Sequence, residues 1–233
     1  MLLAIDTSTK YGGAALRGAG RTVASRTWRS AHNHTGELVP AVQELLDSAG
    51  VPAREVESIA VALGPGGFST LRVGLAAAKG FALATGVPIV GIRTLEMEAY
   101  PHAERGLSVC PLLPAGRGQV AWALFRKVAG GWRQLADERL GQPRELVEAI
   151  TGRVLFCGEA APELAGFLAE RLGARAEVVA DYTPESRLEA LGILGELRLG
   201  RGEADDVESL QPFYLRPPSI GRTDRPQNRQ EAT

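Results

Sequence analysis

The sequence predicts an α/β fold of two related halves, and three observations support this fold class. Short apolar runs typical of buried strands alternate with segments whose apolar residues recur at the helical period. Each half of the chain begins with a β-meander and continues with helices that alternate with strands, an order that indicates an internal duplication. The 233 residues are 45% hydrophobic and 23% charged, which is typical of one large globular domain or two small ones.

The first half is predicted to be an N-terminal α/β subdomain of residues 1–100. Its strands are the apolar or alternating runs at residues 2–5, 12–16, 22–28, 59–63 and 87–92. Its first helix has apolar residues on one face, from Leu38 to Ala49. Thr35 is the predicted N-cap of this helix, which places Pro40 in the first turn, where its missing N–H costs little.

The second half is predicted to be a C-terminal α/β subdomain of residues 101–216, after a polar break at Pro101–Gly106. Its strands are predicted at residues 107–113, 119–126, 132–139, 153–157 and 176–179, and its helices at 145–150, 161–172 and 188–199. Residues 217–233 contain three prolines and one large aliphatic side chain. We therefore expect a disordered tail there.

The overall charge excludes some classes of function. The chain has 26 basic and 27 acidic residues, for a net charge of −1, so it does not resemble a protein that grips nucleic acid by bulk electrostatics. Arginines outnumber lysines 23 to 3, which we interpret as coding bias. Cys110 and Cys157 are too few for a disulfide framework and indicate a reducing cytoplasm and two core positions. No apolar stretch approaches the ~20 residues of a membrane helix.

Two turns carry the residues of a candidate phosphate site. Asp6, Thr7 and Ser8 follow the first strand, where a carboxylate and hydroxyls can orient a metal-bound nucleotide phosphate. The alternative is a polar turn that only closes a hairpin.

The second of these turns is rich in glycine. Gly64, Gly66 and Gly67 lie between a strand and a helix of residues 71–85, in the arrangement of an anion cradle. The Gly-Lys-Ser/Thr ending of a Walker A loop is absent, and the favoured interpretation is that the glycines allow a tight turn and close backbone packing. Ser69 or Thr70 is the predicted N-cap of the helix that follows.

The sequence offers no convincing catalytic or metal-binding set. His32 and His34 have a spacing that could share a metal on a strand, but no second cluster of ligands supports them. A solvent-facing pair in the loop before the first helix is the favoured interpretation. We therefore predict no catalytic residue and no bound metal.

The second helix contains a stripe of small residues. Gly74 and Ala78 share a face with Leu71 and Leu75, although glycine costs ~1 kcal/mol against alanine inside a helix. Close approach of another element offsets such a cost. That element is either the core of this chain or a partner subunit.

Several segments resemble the TsaB (YeaZ) family, whose members take part in forming threonylcarbamoyladenosine in tRNA. The matching segments are LAIDTST at 3–9, GAAL at 13–16, HTGELVP at 34–40, GPGGFSTLRVGLAAAKG at 64–80 and PFYLR at 212–216. The strongest of them lie in the first hundred residues. The chain departs from the family at Pro114–Arg117, where a carboxylate is common, and at Gly67 and Thr70, where serine and glycine are common.

The resemblance implies an actin-like (ASKHA) fold and a subunit that is not itself the catalyst. It implies pairing with a TsaD-like catalytic subunit, a TsaE-like ATPase as a further partner, a homodimer when alone, and contact with tRNA only through the complex. No cofactor is required by the chain, although ATP or ADP can belong to the complex, and the setting is cytoplasmic with no membrane.

The predicted partner interface lies on the two N-terminal helices. Its residues are Leu38, Val42 and Leu45 of the first helix and Leu71, Gly74, Leu75 and Ala78 of the second. The six residues of the two turns would then be a vestigial phosphate site. Two other functions stay open: an autonomous ATPase of the same fold, resembling sugar kinases and supported only by Asp6 and the glycine turn, and a metallopeptidase, which lacks a credible ligand set.

Overall fold

The computed structural model describes residues 1–30 and 33–216, and within them two five-stranded mixed sheets form the framework. The first sheet contains β1 (Leu2–Asp6), β2 (Tyr11–Gly18), β3 (Arg21–Arg29), β4 (Ser58–Gly64) and β5 (Ile89–Arg93). The second contains β6 (Ser108–Pro114), β7 (Val120–Val128), β8 (Gly131–Gly141), β9 (Val154–Cys157) and β10 (Ala176–Val178). The predicted α/β class is confirmed.

The two sheets have the same topology. Their strand orders are β3-β2-β1-β4-β5 and β8-β7-β6-β9-β10. In each, an antiparallel meander is extended by parallel strands: β1 pairs antiparallel with β2 and parallel with β4, and β6 pairs in the same way with β7 and β9. The element order that suggested a duplication therefore corresponds to a repeated sheet.

Helices separate and cover the sheets, so the molecule is built in layers. They are α1 (His34–Ala49), α2 (Phe68–Thr85), α3 (Thr94–Ala99), α4 (Pro143–Ala149), α5 (Ala161–Leu172) and α6 (Pro184–Gly200). Helices α1 and α2 cover the outer face of the first sheet, and α4 and α5 cover the outer face of the second. Helices α3 and α6 lie between the sheets, and their apolar residues complete the two inner cores.

Helix α6 belongs in space to the first sheet, although its sequence lies in the second half. It packs on β1, β2, β4 and β5. The C-terminal segment, residues 203–216, also returns to the first sheet: Asp205 N–H donates to Ile89 O (2.8 Å), and Phe213 N–H donates to Leu63 O (2.7 Å). A division by sequence at residue 100 therefore separates elements that pack together. The predicted tail, residues 217–233, lies outside the described residues.

The first helix begins earlier than predicted. Asn33 occupies the N-cap position and His34 is the first helical residue, so the predicted cap at Thr35 is wrong. Pro40 consequently lies in the second turn. The helix tolerates it there because the lost hydrogen bond would have gone to Gly36 O, near the helix terminus where carbonyls can be satisfied by water.

The second helix also begins earlier, at Phe68, with Gly67 as its N-cap. Thr70 Oγ1 donates to Gly67 O (3.0 Å) instead of capping an N–H group, so the predicted caps at Ser69 and Thr70 are wrong. The predicted break at Pro101–Gly106 is also ordered, because a short 3₁₀ helix spans Tyr100–Arg105. Among residues 1–30 and 33–216, no helix combines the length and apolar character needed to cross a bilayer.

Candidate functional site

The two predicted phosphate-binding turns meet in the structure. We name residues 6–11 the first turn and residues 64–67 the glycine turn. Gly67 N–H donates to Ser8 O (3.0 Å), and a Cβ at Gly66 would collide with that same oxygen. Gly64 has φ of 111°, a conformation that favours glycine. The glycines thus serve close packing of the two turns, which is the interpretation favoured from the sequence.

Asp6 is held by hydrogen bonds within the chain. Its side chain is almost completely buried, and Oδ2 accepts a hydrogen bond from Arg187 Nε (2.7 Å). Its Oδ1 accepts from both the N–H and the hydroxyl of Ser8 (2.8 and 2.7 Å). Both oxygens of the carboxylate therefore accept hydrogen bonds inside the chain, and Asp6 forms a buried ion pair with Arg187. The role expected from the sequence, orienting a metal-bound nucleotide phosphate, stays a prediction.

Arg187 is the centre of this arrangement. Its side chain is 1% exposed, and its Nη1 donates to Glu98 Oε1 (3.0 Å) and Tyr182 Oη (2.7 Å). Its Nη2 donates to Thr9 Oγ1 (3.1 Å) and Tyr11 O (3.3 Å). Together with the bond to Asp6, every N–H of the guanidinium has an acceptor. We name Asp6, Glu98, Tyr182 and Arg187 the Arg187 cluster.

The electrostatics of the cluster leave one carboxyl poised to titrate. Burial raises the pKa of Glu98 to about 7 from an ordinary 4.5, and the charges of Asp6 and Glu159 add to this rise, while Arg187 opposes it. Burial lowers the pKa of Arg187, but the carboxylates of Asp6 and Glu98 more than offset this and hold the pKa above its ordinary value. The guanidinium is therefore permanently charged.

A cavity of about 610 Å³ lies beside the two turns, between the halves of the molecule. Lys10 and the glycine turn line one side, Leu113–Ala115 and Glu159 line the other, and Tyr214–Arg216 of the C-terminal segment reach into it. Lys10 Nζ spans the two sides to Glu159 Oε1 (2.9 Å). Both apolar and polar side chains line the cavity, and the first turns of α1 and α2 contribute to its walls.

His34 is not solvent-facing, contrary to the sequence prediction. It is 3% exposed, and its Nε2 lies 3.1 Å from Thr9 O in a hydrogen bond that ties the start of α1 to the first turn. His32 lies outside the described residues. In the part of the chain that the structure describes, no three potential metal-binding side chains gather in one place.

The predicted partner interface is corrected by the burial of its residues. Leu38, Leu45, Leu71, Gly74, Leu75 and Ala78 are buried, and Val42 is half-buried against the same core. Both helices turn these residues toward the interior of the same chain. A Cβ at Gly74 would collide with Thr7 Oγ1, so this small residue accommodates the first turn of the same chain.

The outer faces of the same helices are available instead. Val39 on α1 is 63% exposed and Leu83 on α2 is 62% exposed, the two highest values among large apolar side chains of the described residues. Ala76 and Gly80 precede Leu83 on the exposed stripe of α2, and a Cβ at Gly80 would meet no atom within 4 Å. We name Val39, Ala76, Gly80 and Leu83 the pairing face. Exposed apolar and small residues on adjacent helices are typical of helix-mediated association.

Sequence reasoning missed Arg187 and Glu98. The signal for Arg187 was present, because it lies four and seven residues before Leu191 and Leu194 on the apolar side of α6. A charged residue within an apolar stripe indicates a buried ion pair. Glu98 offered a weaker signal, since α3 is too short for its buried face to show a clear period.

Comparison with known proteins relates the chain to tRNA modification. Residues 28–218 match the family model described as "TsaD: tRNA N6-adenosine threonylcarbamoyltransferase". A curated relative, the "tRNA threonylcarbamoyladenosine biosynthesis protein TsaB" of Bacillus subtilis, is 29% identical over 218 residues, which are 92% of this chain and 93% of that protein.

Solved structures agree with the sequence relatives. YeaZ from Pseudomonas aeruginosa superposes with a TM-score of 0.74 at 27% identity, over 92% of this chain and 99% of that one. A ROK hexokinase from Thermus thermophilus has a TM-score of 0.55 at 14% identity, over 85% of this chain and 99% of that one, which shows a shared actin-like fold only. The actin-like fold implied by the sequence resemblance is confirmed.

Proposed function

Because the chain belongs to the family of TsaD, tRNA N6-adenosine threonylcarbamoyltransferase, we propose that it is a subunit of the machinery that forms threonylcarbamoyladenosine in tRNA. Its proposed role follows the TsaB of Bacillus subtilis and the YeaZ of Pseudomonas aeruginosa, each of which matches 92% of this chain. It is a non-catalytic cytoplasmic partner that binds and activates a TsaD-like catalytic subunit. A TsaE-like ATPase joins the complex. The chain contacts tRNA only as part of this complex.

The observation that carries the proposed non-catalytic role is the burial and hydrogen bonding of the Asp6 carboxylate. A carboxylate at the end of β1 must be accessible to orient a metal-bound phosphate, whereas Asp6 is almost completely buried and its two oxygens accept hydrogen bonds from Arg187 and Ser8. The N–H of Gly67 is likewise taken by Ser8 O. These contacts favour a fold kept for association rather than for phosphoryl chemistry.

The partner is proposed to dock on the pairing face. Val39 and Leu83 expose most of their apolar surface on neighbouring helices, and Ala76 and Gly80 leave room for a close approach. Burial of such side chains against a partner contributes ~25 cal/mol per Å² of apolar surface. A homodimer of the isolated chain would use the same face and compete with the catalytic subunit.

Reconstitution tests the role directly. The purified chain, supplied with tRNA and the enzyme that provides the threonylcarbamoyl group, is expected to form no product. Addition of a TsaD-like subunit and a TsaE-like ATPase from the same source should restore modification. Substantial product from the first mixture would show that the chain is itself a catalyst.

A matched pair of surface variants tests the pairing face. Leu83→Glu places a charge within the proposed contact, and we expect it to weaken capture of the TsaD-like subunit at least about tenfold. Leu135→Glu is the control, because Leu135 is 51% exposed on β8, away from α1 and α2. Equal affinities of the two variants, measured by titration calorimetry, would place the interface elsewhere.

A second candidate function is nucleotide binding in the cleft. The cavity of about 610 Å³ beside the first turn and the glycine turn has room for a small ligand. We nevertheless propose that the chain requires no cofactor, because the groups that would hold phosphates are engaged with one another. Titration of the isolated chain with Mg-ATP should release no heat of binding and leave the melting temperature unchanged; a saturable signal would favour the autonomous ATPase.

A further inference from the structure

We propose that Arg187 is a positioning residue that fixes the starts of α1 and α2 through the first turn and thereby sets the geometry of the pairing face. The proposal rests on the proposed function for its consequence, partner binding. In this proposal a buried arginine of the C-terminal half influences how the helices of the N-terminal half bind the partner subunit.

Arg187 holds the first turn along its whole length. The guanidinium bonds Asp6 Oδ2 at the beginning of the turn (2.7 Å), Thr9 Oγ1 in its middle (3.1 Å) and Tyr11 O at its end (3.3 Å). A further bond to Glu98 Oε1 (3.0 Å) anchors the same guanidinium to α3. The turn therefore cannot shift without breaking charge-assisted hydrogen bonds that are shielded from water.

The opposite side of the first turn holds both helices. Thr9 O bonds Nε2 of His34, the first residue of α1 (3.1 Å). Ser8 O accepts from N–H of Gly67, the N-cap of α2 (3.0 Å), and Thr7 Oγ1 donates to Thr70 O (2.6 Å) in the first turn of α2. One six-residue turn thus lies between Arg187 and the starts of both helices that carry the pairing face.

The chemistry of this contact requires arginine. A planar guanidinium presents five donors in a fixed fork, whereas a lysine ammonium is a compact charge on a flexible stem. Lysine at this position would keep the charge between Asp6 and Glu98 but could not bond the turn at three places. Arg187→Lys therefore tests the hydrogen bonds that position the first turn while the positive charge at residue 187 is kept.

A partner that contacts α1 and α2 together is sensitive to their relative placement. Interfaces of this kind are packed as densely as protein interiors, so small displacements of one helix lose contacts on the other. Weakening the grip of Arg187 should thus reduce affinity without changing any residue of the pairing face.

The experiment compares Arg187→Lys with Leu194→Ala. Leu194 lies two turns further along α6, is 6% exposed and packs in the inner core on the first sheet, so its truncation destabilises the fold without altering the Arg187 cluster. Affinity for the TsaD-like subunit is measured by calorimetry at a temperature where both variants are folded by circular dichroism. Hydrogen exchange of the Gly67 amide is measured in the isolated chain.

We expect Arg187→Lys to accelerate exchange of the Gly67 amide at least about tenfold and to weaken partner binding at least about tenfold. Leu194→Ala should keep the wild-type affinity within about twofold. If Arg187→Lys fails to fold, the neutral triple variant Asp6→Asn, Glu98→Gln, Arg187→Met removes the buried charges together, and the same two changes are expected of it.

Three outcomes overturn the proposal. Unchanged exchange at Gly67 would show that Arg187 does not hold the helix starts, and faster exchange with unchanged affinity would show that the helix starts do not set partner binding. Equal loss of affinity in Leu194→Ala would show that only overall stability matters. Failure of the pairing face itself is recognised separately, since Leu83→Glu would then bind as well as Leu135→Glu.

Discussion

Glu98 is a carboxyl held inside the protein beside one guanidinium and near two other carboxylates. Arg187 forms ion pairs with Asp6 and Glu98, and Lys10 forms one with Glu159. With all of these groups ionised, three carboxylates face two cations. Burial is the main reason that the pKa of Glu98 is raised to about 7, and the neighbouring carboxylates add to the rise. The folded protein therefore retains a proton at Glu98 at pH values where the unfolded chain has released it.

This difference makes a pH-dependent contribution to stability. Between pH 4.5, the ordinary carboxyl value, and about 7, the folded state binds more protons than the unfolded state. The contribution of Glu98 is therefore fully present below that window and is lost as pH rises through it, by at most ~1.4 kcal/mol per pH unit. Above the window the buried charge persists as a cost.

Replacing Glu98 with glutamine should remove this contribution. We expect the free energy of unfolding of Glu98→Gln, relative to wild type, to increase by ~2–3 kcal/mol between pH 5 and pH 8. Urea unfolding at several pH values measures it. Glu148→Gln, a substitution at an exposed carboxyl on α4, is the control and should show no such trend. A difference that is independent of pH would mean that Glu98 is ionised throughout.

At the residue scale the sequence identified the turns but not the partner that closes them. Asp6, Ser8 and the three glycines were predicted to lie together, and they do. Arg187 could not be assigned to them, because the ion pair joins residues 181 positions apart, and neither composition nor periodicity indicates which arginine of 23 meets Asp6. Such a contact depends on how α6 crosses the first sheet.

Helix α2 contains two glycines in opposite environments. Gly74 faces inward, where a Cβ would collide with Thr7 Oγ1, while Gly80 faces outward, where a Cβ would meet nothing within 4 Å. The intrinsic preference for alanine over glycine is the same at both positions, about 1 kcal/mol in a helix interior. Only the surroundings of the two glycines differ. Comparing an alanine substitution at each position therefore distinguishes the effect of helix propensity from that of packing.

The two alanine substitutions are expected to act in opposite directions. Gly80→Ala should raise the free energy of unfolding of the isolated chain by up to ~1 kcal/mol. Gly74→Ala should lower it by ~1–3 kcal/mol, because the new methyl displaces Thr7 and overpacks the contact with the first turn. Thermal and urea unfolding measure both. Stabilisation by both variants would mean that the first turn yields readily, and would also weaken the assignment of Thr7 as a fixed neighbour.

At the element scale, periodicity located the helices but not their starts or their outward faces. The apolar stripes of α1 and α2 were assigned correctly as single faces, but they were predicted to contact a partner subunit. They contact the first sheet of the same chain. The starts were misplaced because the N-cap residues, Asn33 of α1 and Gly67 of α2, make no side-chain capping hydrogen bond. The hydroxyl residues nearby, Thr35, Ser69 and Thr70, therefore did not mark the helix starts.

At the scale of the whole molecule, the order of elements predicted the duplicated sheet, because a meander followed by parallel strands allows few right-handed connections. The order did not predict that α6 and the C-terminal segment return to the first sheet. An amphipathic helix has one apolar face and can pack on either sheet. The sheet on which α6 packs therefore depends on which inner sheet face is left exposed by the other elements. Here the inner face of the first sheet is completed by Leu188, Leu191 and Leu194.

The C-terminal segment fastens this arrangement along the edge of the first sheet. The carboxylate of Asp205 accepts from Gly91 N–H (2.7 Å) beside β5, and Val207 and Leu210 pack against the outer core. Phe213 lies under the guanidinium of Arg93, and the ring of Tyr214 packs against that of Phe68 in a tilted arrangement with ring centroids 4.9 Å apart. The segment therefore links β4, β5 and the start of α2, which are elements far from it in sequence.

Truncation at two points distinguishes this segment from the residues beyond it. A chain ending after Gly202 loses the hydrogen bonds of Asp205 and Phe213 and the apolar contacts of Val207 and Leu210, and we expect its free energy of unfolding to fall by ~3 kcal/mol or more. A chain ending after Arg216 keeps every one of those contacts, and it should match the full chain within ~0.5 kcal/mol in urea unfolding. The residues it removes contain a single large aliphatic side chain, Ile220, so we expect little stabilising apolar burial to be lost with them. A marked loss of stability in the longer truncated chain would show that residues 217–233 contact the folded protein, whereas equal stability of the two truncated chains would show that residues 203–216 contribute nothing to holding the first sheet.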